Sequence, residues 1–101
     1  MDKHFVYSHQ SVVVTVRGSM EAEDALSLRE DLLRCINGGL STIVINMADL
    51  QFIDSIGLGV LSAVNKRASK AGGRLTLSGL TGIVDRLLRM SKLDQYFHIQ
   101  S

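Results

Sequence analysis

The chain has 101 residues, of which 46% are hydrophobic and 21% are charged, and its formal net charge is +1. This length and composition predict one globular domain over residues 1–101 and leave too little chain for a two-domain enzyme. The near-neutral charge, the scattered Lys and Arg residues and the few aromatic rings argue against nucleic acid or an anionic membrane as a partner.

Cysteine and histidine usage bears on location and on metal chemistry. The only cysteine, Cys35, cannot form an internal disulfide and is typical of a reducing cytoplasm. No signal-peptide pattern opens the sequence, and its apolar runs are too short to span a bilayer, so we expect a cytoplasmic protein. His4, His9 and His98 lack metal-ligand spacing, and we therefore expect neither a metal site nor a cofactor.

The first half of the chain reads as two strands, a helix and a third strand. Residues 5–7 and the β-branched run 12–16 predict the first two strands. Residues 22–36 predict a helix that ends at an Asn-Gly-Gly stop. Its apolar stripe consists of Ala25, Leu28, Leu32 and Ile36. Residues 41–47 then predict a central strand.

The second half continues the alternation of helix and strand. Residues 57–71 predict a helix that ends before Gly72-Gly73. Its apolar row consists of Leu61, Val64, Ala68 and Ala71. Residues 74–78 predict a strand, a third helix begins at Thr81 or Gly82, and residues 96–99 form a short strand or an extended tail.

This order of elements defines the fold class. Two strands followed by helix–strand alternation predict an α/β protein with a mixed sheet of four to five strands and with helices packed mainly on one face. The helix between the third and fourth strands is expected to form a right-handed crossover between parallel strands.

The most informative segment is DLQFIDSIGLG, residues 49–59. It places Ser55 where the central strand gives way to a helix, so Ser55 is predicted to be the N-cap. Free N–H groups and the positive end of the helix dipole make the same position an anion site. A phosphate there would add roughly −1.5 to −2 charges, which makes Ser55 a candidate switch.

Three other interpretations of this segment are possible. The serine is a plain N-cap beside glycines selected for close packing, or the segment is a nucleotide-binding loop, or it is a hydrolase nucleophile elbow. Neither GxxxxGK[ST] nor GxGxxG occurs, and Ile53 stands where the elbow requires glycine. Ser55 also has no predictable His or Lys base, so we do not expect an enzyme.

Residues 52–60, FIDSIGLGV, resemble the phosphorylation segment of bacterial STAS-domain anti-sigma factor antagonists. The resemblance extends over nearly the whole chain and implies a single STAS domain. It also implies that an anti-sigma serine kinase of the GHKL type phosphorylates Ser55 and that a serine phosphatase resets it. The unphosphorylated form would sequester the kinase and thereby free a sigma factor.

The resemblance also implies a surface for the partner. Family members often carry Gly-x-Leu-Asp in a loop near the phosphorylated serine, and residues 18–21, GSME, take that place here. Asp54 is either a turn former or a residue that positions Ser55. The expected partner-binding residues are Glu21, Asp54, Ser55, Ile56, Gly57, Leu58 and Gly59.

Two further functions remain as alternatives. A STAS module that does not switch could serve as a structural subunit of a lipid-transport ABC complex or of a signalling scaffold. The Asp-Ser pair argues against that role, because a purely structural module needs no phosphoacceptor. An independent enzyme or nucleotide-binding protein has the least support from the motifs.

Overall fold

Strands and helices alternate along residues 1–100, the part of the chain that a computed structural model describes. The elements are β1 (Asp2–Ser8), β2 (Ser11–Met20), α1 (Ala22–Asn37), β3 (Thr42–Ile53), α2 (Ser55–Lys70), β4 (Arg74–Ser78), α3 (Gly82–Met90), a 3₁₀ helix (Leu93–Tyr96) and β5 (His98–Gln100).

The sheet follows the order of the chain, β1-β2-β3-β4-β5. β1 lies antiparallel to β2, and each later neighbour pairs in parallel. Parallel neighbours need a crossover connection, and the three helices supply one each. The predicted mixed α/β sheet and the parallel pairing across α2 are confirmed.

The core lies between the sheet and the two long helices, α1 and α2, which pack against each other. Alternate residues are buried over 12–16 in β2 and over 43–47 in β3, as period-two side-chain alternation requires. β4 instead buries three consecutive residues, 75–77. The predicted stripe of α1 is buried throughout, and so is that of α2 except for Ala71, which is exposed just beyond the end of the helix. No helix within residues 1–100 is both long and apolar enough to cross a membrane.

β2 and β3 are longer than the sequence indicated. The predicted strands covered residues 12–16 and 41–47, but the two strands pair until Met20 lies beside Ile53. The register shifts between Thr15 and Arg17 and again after Gly18, as in β-bulges. Such irregular pairing has no period-two signature, which is why the pattern of apolar residues missed it.

The end of the described chain also differs in detail. Residues 96–99 were predicted to be a strand or a tail, whereas the 3₁₀ helix runs through Tyr96 and β5 begins at His98. β5 pairs only with β4 and therefore lies at one edge of the sheet.

A close backbone contact makes Gly73 a test of this architecture. A Cβ on Gly73 would lie 2.1 Å from the Ser41 carbonyl oxygen, which also accepts the Arg74 N–H at 3.0 Å. We expect Gly73→Ala to lower the free energy of unfolding by about 3 kcal/mol, because rigid backbone must move. Urea denaturation followed by circular dichroism measures the change.

The neighbouring Gly72 provides the control. Its φ is +86°, but an added Cβ would meet no atom within 4 Å. Gly72→Ala should therefore cost only the about 1–2 kcal/mol of a left-handed backbone conformation. Equal losses for the two variants would contradict the predicted clash.

Candidate functional site

The ends of β2 and β3 bring together the two segments that the sequence analysis singled out. The Asp54 amide donates to the Met20 carbonyl oxygen at 3.2 Å. Glu21 directly follows Met20, and Ser55 directly follows Asp54. Both residues therefore lie at the carboxyl ends of neighbouring parallel strands, where the chain enters a helix. The end of the 18–21 segment thus lies beside the start of α2, but residues 18–20 belong to β2 and do not form the predicted loop.

The helix cap is Asp54, not Ser55 as the sequence analysis predicted. Asp54 has extended backbone angles, and its Oδ1 accepts the Gly57 N–H at 2.8 Å. The Leu58 N–H reaches the Asp54 carbonyl oxygen at 3.0 Å, which closes the first turn. A carboxylate is as good an N-cap as a hydroxyl, and here it stands one residue earlier. α2 therefore begins at Ser55, two residues before the predicted start.

Ser55 is exposed at the first position of α2. The first N–H groups of a helix have no partner within the helix, and the dipole makes this end positive. Asp54 already accepts the Gly57 N–H, so fewer N–H groups of the first turn are free to bind another anion. The Ser55 hydroxyl itself is free of the capping role and accessible to a protein that modifies it.

Exposed apolar side chains lie within three residues of Ser55 on either side in the sequence. Phe52 is 40% exposed at the end of β3, and Ile56 is 45% exposed in the first turn of α2. Leu58 is half-buried against the core, and Gly59 is exposed. We call the set Glu21, Phe52, Asp54, Ser55, Ile56, Leu58 and Gly59 the Ser55 surface. The partner set that we predicted from sequence left out Phe52, because its exposure depends on the late register of β3.

Gly57 does not belong to this surface. It is buried, and a Cβ there would lie 2.6 Å from Ile53 Cγ1 and 3.2 Å from Met20 Sδ. Its missing side chain lets α2 pack closely over the ends of β2 and β3. Gly57 was predicted to contact the partner, but its observed position supports packing of the domain.

The remaining titratable candidates lie apart from the site. Burial raises the pKa of the Cys35 thiol, the Asp31 carboxylate raises it further, and Arg34 opposes the shift. A thiol with a raised pKa is a poor nucleophile at neutral pH, which agrees with a packing role in α1.

Within residues 1–100, no group of three or more His, Cys, Asp or Glu side chains is arranged to hold a metal ion.

The position of the cap can be tested with two alanine variants. Asp54→Ala should lower the free energy of unfolding by about 1 kcal/mol, because the Gly57 N–H loses its acceptor. Ser55→Ala should change it by less than about 0.5 kcal/mol, since an exposed hydroxyl outside the cap contributes little. Chemical denaturation of both variants decides between the two residues. The reverse order of losses would restore Ser55 as the cap.

The two glycines of α2 should respond in opposite ways to a side chain. Gly57→Val should lower the free energy of unfolding by about 2 kcal/mol, because the valine overpacks the contact with Ile53 and Met20. Gly59→Ala should raise it by about 0.5–1 kcal/mol, because an added Cβ meets open space and alanine favours a helix. Thermal unfolding measures both. A destabilised Gly59→Ala variant would contradict the open surface described at this position.

Comparison with known proteins identifies a family that matches nearly the whole chain. The family model of the STAS domain matches residues 4–101. The anti-sigma-B factor antagonist of Bacillus subtilis strain 168 is 31% identical over 83 residues, a match covering 82% of this chain and 72% of that protein.

Solved structures share the fold. A Thermotoga maritima structure assigned to the anti-sigma factor antagonists superposes with a TM-score of 0.90 at 24% identity, covering 98% of this chain and 86% of that one. The antagonist SpoIIAA in its unphosphorylated form gives 0.81 at 20% identity, covering 99% and 88%. The phosphorylated form of Bacillus SpoIIAA gives 0.80 at 20% identity, covering 99% and 92%.

The family match spans nearly the whole chain, and the Bacillus subtilis relative agrees with it at the level of sequence. The chain therefore belongs to the STAS domain family, among the anti-sigma factor antagonists.

Proposed function

We propose that this protein is the antagonist of a partner-switching pathway. Its unphosphorylated form binds an anti-sigma serine kinase of the GHKL type through the Ser55 surface. Phosphorylation of Ser55 by that kinase releases the complex, and a serine phosphatase restores the binding form. The chain itself catalyses no reaction, and it acts in the cytoplasm.

The observation that carries the proposal is the exposed Ser55 hydroxyl at the start of α2. A kinase must reach the hydroxyl it modifies, and the modification must leave the domain folded. The exposure of Ser55 meets the first condition. The second is met because the cap hydrogen bond between Asp54 and Gly57 does not involve Ser55.

The charges near Ser55 favour a switch that acts on the surface. Residues 18–28 and 48–65 contain the acids Glu21, Glu23, Asp24, Asp49 and Asp54 and no Lys or Arg. Two cations from outside these segments contact their acids, but both are already paired: Arg17 with Asp49 and the Met1 ammonium with Asp24, each at 3.5 Å. A phosphate on Ser55 would therefore meet mainly negative charge on its own domain.

The apolar neighbours of Ser55 explain how that charge would break the complex. In the bound state, the exposed Phe52 ring and the exposed Ile56 side chain would be buried against the partner. A dianion on Ser55 in that interface would have to lose its hydration without gaining a partner charge, which is strongly unfavourable. The phosphorylated form is therefore expected to dissociate.

The relatives support this proposal by name. The Bacillus subtilis relative is an anti-sigma-B factor antagonist, and SpoIIAA, which shares the fold, exists in unphosphorylated and phosphorylated forms. The Asp-Ser pair of this chain lies at a strand-to-helix junction where Ser55 is exposed.

Binding to a kinase encoded beside this protein tests the proposal. We expect Ser55→Ala to bind as the wild type does and Ser55→Asp to bind at least about tenfold more weakly, because it places a charge in an apolar contact. Isothermal titration calorimetry measures both affinities. Ser69→Asp is the matched control, since it adds the same charge to an exposed position near the other end of α2.

Phosphorylation by the kinase is a second test of the same proposal. With ATP and the kinase, mass spectrometry should find one phosphate on the wild type, located on Ser55, and none on Ser55→Ala. A kinase complex that tolerates Ser55→Asp, together with no label on Ser55, would favour the module that does not switch.

A further inference from the structure

A groove of about 560 Å³ lies between α2 and the 3₁₀ helix. Its volume is within the range of small-molecule sites, and its lining combines carbon-rich surface with polar and charged groups. The lining residues are Ser62, Asn65, Lys66, Ser69, Lys70, Leu93 and Tyr96. We call it the α2 groove. It begins two turns beyond Ser55 and shares no residue with the Ser55 surface.

The walls of the α2 groove are held in place by a direct hydrogen bond. The Asn65 side-chain amide donates to the Tyr96 carbonyl oxygen at 2.7 Å and ties the 3₁₀ helix to α2. The Tyr96 ring is nevertheless 72% exposed, and Leu93 beside it is half-buried. A fixed backbone thus presents an aromatic ring to the solvent at the rim of a cavity.

The charged side chains of the groove all have one sign. Lys66 and Lys70 line it, and it contains no carboxylate. Within residues 1–100 neither lysine forms an ion pair, although Lys3, Arg17, Arg34 and Arg89 all do. Two like charges four residues apart on a helix repel each other slightly. The negative end of the helix dipole favours cations here, but it does not account for the cavity or for the exposed ring.

The hydroxyl of Ser62 is not exposed in the groove. Although Ser62 lines the groove, its Oγ is inaccessible to solvent and has no hydrogen-bond partner among the described residues. The polar contacts that the groove offers to a ligand therefore come from the two lysines, whose ammonium groups can meet one acceptor-rich group.

From these features we propose that the α2 groove binds a small organic anion that carries an aromatic ring, such as an aryl phosphate or an aryl carboxylate. The anionic oxygens would accept from Lys66 and Lys70. The aromatic ring would stack on Tyr96 and contact Leu93, since offset aromatic pairs are favourable. This site does not depend on the proposed role of Ser55.

Titration of the isotopically labelled protein with naphthyl phosphate tests the proposal. The backbone amide signals of the groove residues should shift with a saturable dependence on ligand concentration, while those of residues 20–26 should not. Inorganic phosphate and naphthol, each of which lacks one half of the probe, should bind at least about fivefold more weakly.

Variants then assign the contacts. Lys66→Gln with Lys70→Gln should weaken binding about tenfold, whereas Arg29→Gln with Arg86→Gln removes the same charge from exposed sites elsewhere and should not change it. Tyr96→Ala should weaken binding about fivefold, and its backbone carbonyl keeps the Asn65 hydrogen bond.

Shifts that do not saturate, shifts that map outside the groove, or full affinity in the double lysine variant would each overturn the proposal. Equal affinity for naphthol and naphthyl phosphate would overturn the anionic part.

Discussion

The geometry of the Ser55 surface depends on the backbone pairing of β2 with β3. The two strands run in parallel, so their carboxyl ends meet, and the hydrogen bond from Asp54 to Met20 closes the pairing. Only one residue then separates β3 from α2. If β3 ended at Met47, a flexible loop would set the position of Ser55. The longer strand places the start of α2 with the rigidity of the sheet.

Two neighbours of Ser55 perform the structural tasks of the junction. Asp54 satisfies an N–H group of the first turn, and Gly57 allows the helix to approach Ile53 and Met20. Ser55 is left with an exposed side chain and no part in the cap. An added charge at Ser55 is therefore expected to leave the cap hydrogen bond and the contacts beside Gly57 in place.

Helix α2 has charges of opposite sign at its two ends. Asp54 precedes its first turn, and Lys66, Arg67 and Lys70 occupy its last turns, which is the distribution that the helix dipole favours. The same distribution gives the domain two chemically different surfaces. The Ser55 surface is acidic and apolar, whereas the α2 groove is cationic and contains an exposed aromatic ring. Ligands of opposite charge would therefore be directed to opposite ends of one helix.

The sequence by itself determined the order of elements, the α/β class and the position of Ser55 at a strand-to-helix junction. These features depend on local periodicity, on glycine stops and on a motif of contiguous residues, all of which are visible in one dimension. Only the tertiary structure decided the lengths of β2 and β3, because bulged pairing between distant segments leaves no regular pattern. It also decided that Asp54 caps the helix, that Gly57 faces the core and that Phe52 is exposed. Each of these depends on which face of an element meets the sheet, and that choice is made by contacts between residues far apart in the chain.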